Sequence, residues 1–183
     1  MINEKENKRI SKFLSLVLRH KPETVHIELD GNGWTDVDVL IERMREHQFN
    51  ISREILAHVV STNDKSRFAF SDDLTRIRAS QGHSVDIDLG YEAQQPPPVL
   101  YHGTTENALA SILKTGLEKR DRHHVHLSTE IKTATAVGQR YGKPTILQVA
   151  AGEMFQDGYR FYRTDNNVWL TDHVPVKYFT VIE

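Results

Sequence analysis

Three consecutive prolines, Pro96–Pro98 in the segment EAQQPPP (92–98), divide this 183-residue chain into two parts that must be built separately. Each proline fixes its own φ, lacks the N–H that a helix or a central strand needs, and pushes the preceding residue out of helical geometry. A run of three therefore belongs neither to a helix interior nor to the middle of a sheet, and it reads as a linker. The hydrophobic pattern also changes across it. Upstream, apolar residues recur mostly at helical spacing; downstream, short strand-like runs alternate with two helices. The expected organisation is a first lobe at 1–91, a linker at 92–98 and a second lobe at 99–183.

In the first lobe, Ile10, Phe13, Leu14, Val17 and Leu18 of ISKFLSLVLRH predict a helix. Pro22 disfavours helical geometry at Lys21, so that helix should end near His20. Thr35 or Asp36 can cap a second helix over VDVLIERMREH, and Ser52 a third over REILAHVVS. RFAFS and TRIRA alternate on either side of an Asp-Asp turn and predict a β-hairpin. Three helices followed by a hairpin point to a winged-helix module. In the second lobe, PVLYHG, HVHLS, TILQVAA, FYRT, VWLT and KYFTVIE read as strands. ENALASILKTG and IKTATAVGQRYG read as helices closed by glycine, Gly116 for the first. The fold class is α+β, and no internal repeat is visible.

Composition removes several functions. The charge is balanced, with 23 Lys+Arg against 25 Asp+Glu. Residues 1–91 carry 13 basic and 15 acidic side chains and the remainder 10 of each, so neither lobe is a general nucleic-acid coater and any such contact must be local. Cysteine is absent, which excludes disulfides, thiolate catalysis and cysteine zinc sites. The start, MINEKENKRI, is polar, and no run approaches the ~18 apolar residues of a membrane span. A soluble cytoplasmic monomer is expected.

The residues that carry chemistry are mostly cations. Arg19 and His20 would sit at a helix C-terminus, where positive charge meets the helix dipole favourably and where the pair can also present donors to an oxyanion. Arg67 in NDKSRFAF could be a solvated strand residue paired with Asp64, or a further guanidinium fork for the same anion. Arg122 opens RHHVHLS, and three histidines follow it, His123, His124 and His126. On a strand His124 and His126 would share a face, so two ligands of one metal are geometrically possible. No HExxH, cysteine or nearby carboxylate pair completes a zinc site, and no metal is expected. Tyr101-His102-Gly103-Thr104 offers an imidazole, a glycine that lets a ligand approach the backbone, and a hydroxyl. GQRYGKP is not a phosphate loop: the spacing of its glycines is one residue short, and Pro144 stands where Ser or Thr is required. No GxGxxG fingerprint is present. Trp169 and Phe68 are assigned to the core rather than to base stacking.

Taken in order, SKFLSLVLRHKPE, NDKSRFAF, IRASQGHS, YHGT, RHHVHLS and NNVWLT resemble the NAD-dependent RNA 2′-phosphotransferases of the KptA type, from about Ser11 to the C-terminus. The resemblance implies an N-terminal winged-helix lobe that holds an RNA phosphate and a C-terminal ADP-ribosyltransferase-like lobe that holds NAD⁺. It implies a tRNA-like RNA with an internal 2′-monophosphate as partner, NAD⁺ consumed as co-substrate, and neither metal nor membrane. The family's Arg-His-Arg-Arg set falls on Arg19, His20, Arg67 and Arg122, and its NAD motifs fall on His102, Gly103, Thr104, His126 and Ser128. Many ADP-ribosyltransferases carry a glutamate that assists an uncharged acceptor; the corresponding position here falls on Val168. A phosphate acceptor is already anionic and needs orientation rather than a base. His20 is either a general acid for the departing RNA oxygen or a phosphate ligand only. Two other classes remain compatible with the same motifs: an ADP-ribosyltransferase acting on nucleic-acid ends or protein, and a non-catalytic nucleotide-sensing winged-helix protein.

Overall fold

The computed structural model describes residues 2–63 and 65–182. The chain forms two compact units, Met1–Gly90 and Tyr91–Glu183, each closed around its own apolar core. Helices and small antiparallel sheets are combined in both, an α+β architecture.

The first unit opens with α1 (Glu4–Arg19), whose first turn is capped by Asn3 Oδ1 accepting from the Glu6 N–H at 2.9 Å. Ile10, Leu14, Val17 and Leu18 form its buried face. The helix stops where the proline requires: the His20 and Lys21 N–H groups both return to Leu16 O, and Pro22–Val25 forms a 3-10 turn. β1 (Thr35–Asp36) leads into α2 (Val37–Glu46), with Asp36 Oδ1 accepting from the Asp38 and Val39 amides. α3 (Arg53–Ser61) is capped by Ser52. The hairpin follows as β2 (Phe68–Phe70) and β3 (Arg76–Ala79), with Phe68 opposite Ala79. Its turn is knotted by Asp73, which accepts from Ser71 Oγ and from the Thr75 amide and hydroxyl. Those donors favour the ionised form and hold its carboxyl down to about 2. β1 pairs with the other edge of β3, giving the order β1-β3-β2. Leu14, Leu18, Leu40, Met44, Leu56 and Ile77 are fully enclosed between the helices and this sheet.

The second unit contains β4 (Leu100–Thr105), α4 (Glu106–Thr115), β5 (Leu117–Glu118), β6 (Val125–Leu127), α5 (Ile131–Gly138), β7 (Pro144–Val149) and α6 (Ala151–Gln156). It ends with β8 (Tyr162–Arg163), β9 (Trp169–Thr171), β10 (His173–Val174) and β11 (Phe179–Ile182). One sheet has the order β11-β7-β4 and another β6-β9-β8. They meet where Tyr101 and Ser128 exchange both backbone hydrogen bonds at 2.8 Å. Trp169 and Phe68 lie in the two cores, at 6% and 4% exposure, as their neighbours in sequence lead one to expect. Glu183, the last residue of KYFTVIE, lies outside the described residues.

One sequence expectation is revised. The strand over TILQVAA stops at Val149, and Ala151 begins α6 instead. The backbone there is claimed by other partners: the Ala150 N–H donates to Tyr178 O and the Gly152 N–H to Pro98 O. Ala93 bridges to Tyr162, the Gln94 N–H donates to Phe161 O, and Pro98 O accepts from Gly152, so the segment 92–98 lies along the second unit. Among the described residues, no helix is long and apolar enough to cross a membrane.

Candidate functional site

Arg19, His20 and Arg67 come from the first unit and are tied to one short segment, Ser80–Ser84, that follows β3. Ser80 donates its N–H to Arg67 O at 2.9 Å and its hydroxyl to Ser66 O at 2.9 Å. Four residues on, the Ser84 N–H donates to Arg19 O at 2.9 Å, and Ser84 Oγ lies 3.0 Å from His20 Nδ1. Between them Gly82 holds φ +84, a conformation that glycine adopts without strain, with its open side 3.7 Å from the Arg19 guanidinium. Nε and Nη2 of Arg19 are shielded from solvent. Arg67 is half-buried, and Asn63 Oδ1 accepts its backbone N–H at 3.3 Å, as it does that of Lys65. The backbones of Arg19 and Arg67 and the ring of His20 are thus all tied to one five-residue segment. The expected pairing of Arg67 with Asp64 lies outside the described residues. Arg78, inside IRASQGHS, has a structural job: its guanidinium stacks on Trp34 at 4.5 Å and donates to Leu89 O.

The second group is built on β4 and β6. His102 Nδ1 lies 2.9 Å from His126 O, and a carbonyl can only accept, so Nδ1 carries the proton and donates. Arg122 Nη1 lies 3.3 Å from His126 Nδ1, and a guanidinium can only donate, so that nitrogen is an acceptor and the His126 proton sits on Nε2. Each partner has one role, and together they fix both tautomers. Burial pushes the His102 pKa down, the Arg122 charge adds to the fall, and the hydrogen bond to His126 opposes it. His102 is therefore a neutral ring whose Nε2 is an acceptor. Ser128 Oγ accepts from the Glu130 N–H at 3.2 Å and shapes the turn into α5, while its backbone pairs with Tyr101.

Gly103 has a packing reason for being glycine. A Cβ there would lie 1.7 Å from Ala134 O and 3.0 Å from Gly138 N, because the backbone of α5 rests directly on β4. A Cβ on Gly138 would in turn lie 2.7 Å from Thr104 O. Thr104 therefore sits under the same contact. At Val168, the backbone is clasped by Thr164, whose hydroxyl both donates to Val168 O and accepts from Val168 N. His124 and His126 are committed to different partners: His124 faces Asp172 at 3.7 Å and meets the Tyr162 ring edge-on, while His126 takes Arg122. Among the described residues, no group of three or more His, Cys, Asp or Glu is placed to hold a metal ion.

Sequence reasoning overlooked Asn63, Ser80, Gly82 and Ser84. The signal lay in their motifs, since a small, polar, glycine-containing run directly after a strand is a turn that fixes its surroundings.

The tautomer assignment predicts a pH effect. In the folded chain the His102 pKa lies below the ordinary value of about 6.5. The unfolded chain therefore binds the extra proton first as pH falls. Stability contributed by the neutral ring is complete above about 6.5 and is lost as pH falls from there through the folded value. Melting curves between pH 7.5 and 5 should show a steeper acid loss for the unaltered protein than for His102→Gln. Parallel pH profiles would contradict a half-buried neutral His102.

The sequence model of the family described as "RNA 2'-phosphotransferase, Tpt1 / KptA family" matches residues 5–173. A protein named "Probable RNA 2'-phosphotransferase" from Flavobacterium johnsoniae is 52% identical over 177 residues, covering 97% of each chain. Proteins of the same name from Trichormus variabilis and Acaryochloris marina are 55% and 49% identical, covering 93% of each chain for the first, and 98% of this chain and 99% of the relative for the second.

Proposed function

The chain belongs to the RNA 2′-phosphotransferase, Tpt1 / KptA family, and from that premise we propose that it removes an internal 2′-monophosphate from RNA by transferring it to NAD⁺. The observation that carries this is the family match over 5–173, which spans Arg19, His20, Arg67, His102, Gly103, Thr104, Arg122, His126 and Ser128 together. The first unit is the winged-helix lobe and takes the RNA phosphate; its three helices and β1-β3-β2 sheet support that assignment. The second is the ADP-ribosyltransferase-like lobe and takes the dinucleotide. A neutral imidazole acceptor at His102 suits a ribose hydroxyl, and the Arg122–His126 pair supplies the donors that a phosphate oxygen requires.

The reaction runs in two steps. A 2′-phosphate oxygen attacks C1″ of the nicotinamide ribose; the C1″–N bond breaks and nicotinamide leaves with the electron pair, so that neutral nicotinamide is released. O2″ then attacks phosphorus and loses its proton; the P–O2′ bond breaks, and the RNA oxygen takes a proton to become 2′-OH. The other product is ADP-ribose 1″,2″-cyclic phosphate. Step one needs an oriented anion, which paired guanidiniums provide. Step two concentrates charge on phosphorus and on the departing oxygen, and it needs neutralising cations and a proton donor. Arg19 holds the phosphate in both steps; Arg67, Arg122 and His20 act mainly in the second. Val168 supplies no carboxylate, and an anionic acceptor requires none.

The test is a time course on an oligonucleotide with one internal 2′-phosphate. Dephosphorylation should require NAD⁺ and proceed equally with and without a chelator. Loss of phosphate without NAD⁺ would mean hydrolysis rather than transfer. Activity abolished by the chelator and restored by zinc would return His124 and His126 to the role of metal ligands.

A further inference from the structure

We propose that Ser84 is a positioning residue for His20, accepting the Nδ1–H of its ring so that Nε2 is the nitrogen that delivers the proton to the departing RNA oxygen. This rests on the phosphotransferase function proposed above and adds to it a residue that acts through another. His20 is exposed at the end of α1, so the orientation of its ring depends on the hydrogen bonds it makes. Ser84 contributes one of them through a two-point attachment to the same turn. Its N–H donates to Arg19 O at 2.9 Å, and its Oγ lies 3.0 Å from His20 Nδ1. The Val85 N–H adds a longer bond to Arg19 O at 3.4 Å. At its other end the segment is fixed to Arg67 O and Ser66 O through Ser80. Hydroxyl and ring are therefore held on one segment with the backbones of Arg19 and Arg67.

The partner's chemistry suits a general acid. When P–O2′ breaks, an imidazolium passes its Nε2 proton to the RNA oxygen and becomes the neutral Nδ1–H tautomer. Ser84 Oγ accepts from Nδ1–H before and after that transfer, so the bond survives the step without rearrangement. A carboxylate in this place would bind the imidazolium much more tightly than the neutral ring and would oppose proton release. A neutral hydroxyl orients without that penalty.

The experiment compares the unaltered protein with Ser84→Ala and Ser84→Thr, all checked for equal melting temperature. ¹⁵N NMR of the His20 ring in the protein alone should show the neutral form shifted toward Nδ1–H in the unaltered protein and in Ser84→Thr, and away from it in Ser84→Ala. Single-turnover assays should show Ser84→Ala slowing conversion of the ADP-ribosylated intermediate by about 3- to 10-fold, the value of one neutral hydrogen bond, with its formation unchanged and Ser84→Thr restored. An unchanged tautomer in Ser84→Ala, an equal slowing of both steps, or a Ser84→Thr as slow as Ser84→Ala would overturn the proposal. If the unaltered protein lacked NAD⁺-dependent activity, the phosphotransferase function would fall and this role with it; the NMR comparison, made without substrate, would still report whether the Ser84–His20 contact exists.

Discussion

Replacing Arg67 or His20 with alanine is expected to cut release of 2′-OH RNA by roughly 100- to 1,000-fold, and to let ADP-ribosylated RNA accumulate. The accumulation is the informative part. Under the proposed mechanism step one needs only an oriented phosphate, which Arg19 would still hold when either other group is gone. Step two places added negative charge on phosphorus while an oxygen departs, and a preorganised donor removed at that point costs most. Arg67 is preorganised by its backbone, with Asn63 Oδ1 accepting its N–H and Ser80 donating to its carbonyl. His20 is preorganised by Ser84, whose Oγ lies 3.0 Å from its Nδ1. A gel time course on each variant decides the matter. If neither reaction shows a slower-migrating, NAD⁺-dependent band, the step-two assignment is lost although the overall activity stands.

Gly103→Ala should lower the melting temperature by roughly 10–20 °C, corresponding to about 3 kcal/mol in a unit of this size. The added Cβ would lie 1.7 Å from Ala134 O and 2.6 Å from its carbonyl carbon, and these are backbone atoms that no rotamer change can move aside. Relief requires α5 to lift from β4, which disturbs the strand that carries His102 and Thr104. Gly31→Ala is the control, since nothing lies within 4 Å of its would-be Cβ. Equal melting temperatures for the two variants would show that α5 yields without cost and would remove the packing explanation for Gly103.

Much of the fold was legible because its signals are local. Pro22 ends α1 where expected, and Asp36 and Ser52 cap α2 and α3 through their own side chains. The missing elements have no local signal. β1, β5 and β10 are two-residue strands that exist only through pairing with distant partners. α6 is six residues long and follows a strand without a polar break, so the alanines after Val149 read as more strand. At the candidate site the ordered motifs point to the arginines and histidines, because those side chains are the chemistry. The Ser80–Ser84 segment is less visible because it works largely through its amides, which residue identity does not encode. The tautomer of His102 depends on His126 O, a partner 24 residues away that only the folded chain brings near. Gly103 adds a feature the sequence does not carry. A glycine beside polar residues suggests a ligand's approach, and the structure shows that the same position also admits a helix.

Transfer of the phosphorus itself is the most direct thing to measure. An oligonucleotide labelled with ³²P in its internal 2′-phosphate, incubated with the protein and NAD⁺, should yield the label in ADP-ribose 1″,2″-cyclic phosphate and leave RNA with a free 2′-OH. Recovery of the label as inorganic phosphate, or its retention in ADP-ribosylated RNA as the end product, would contradict phosphotransfer to NAD⁺.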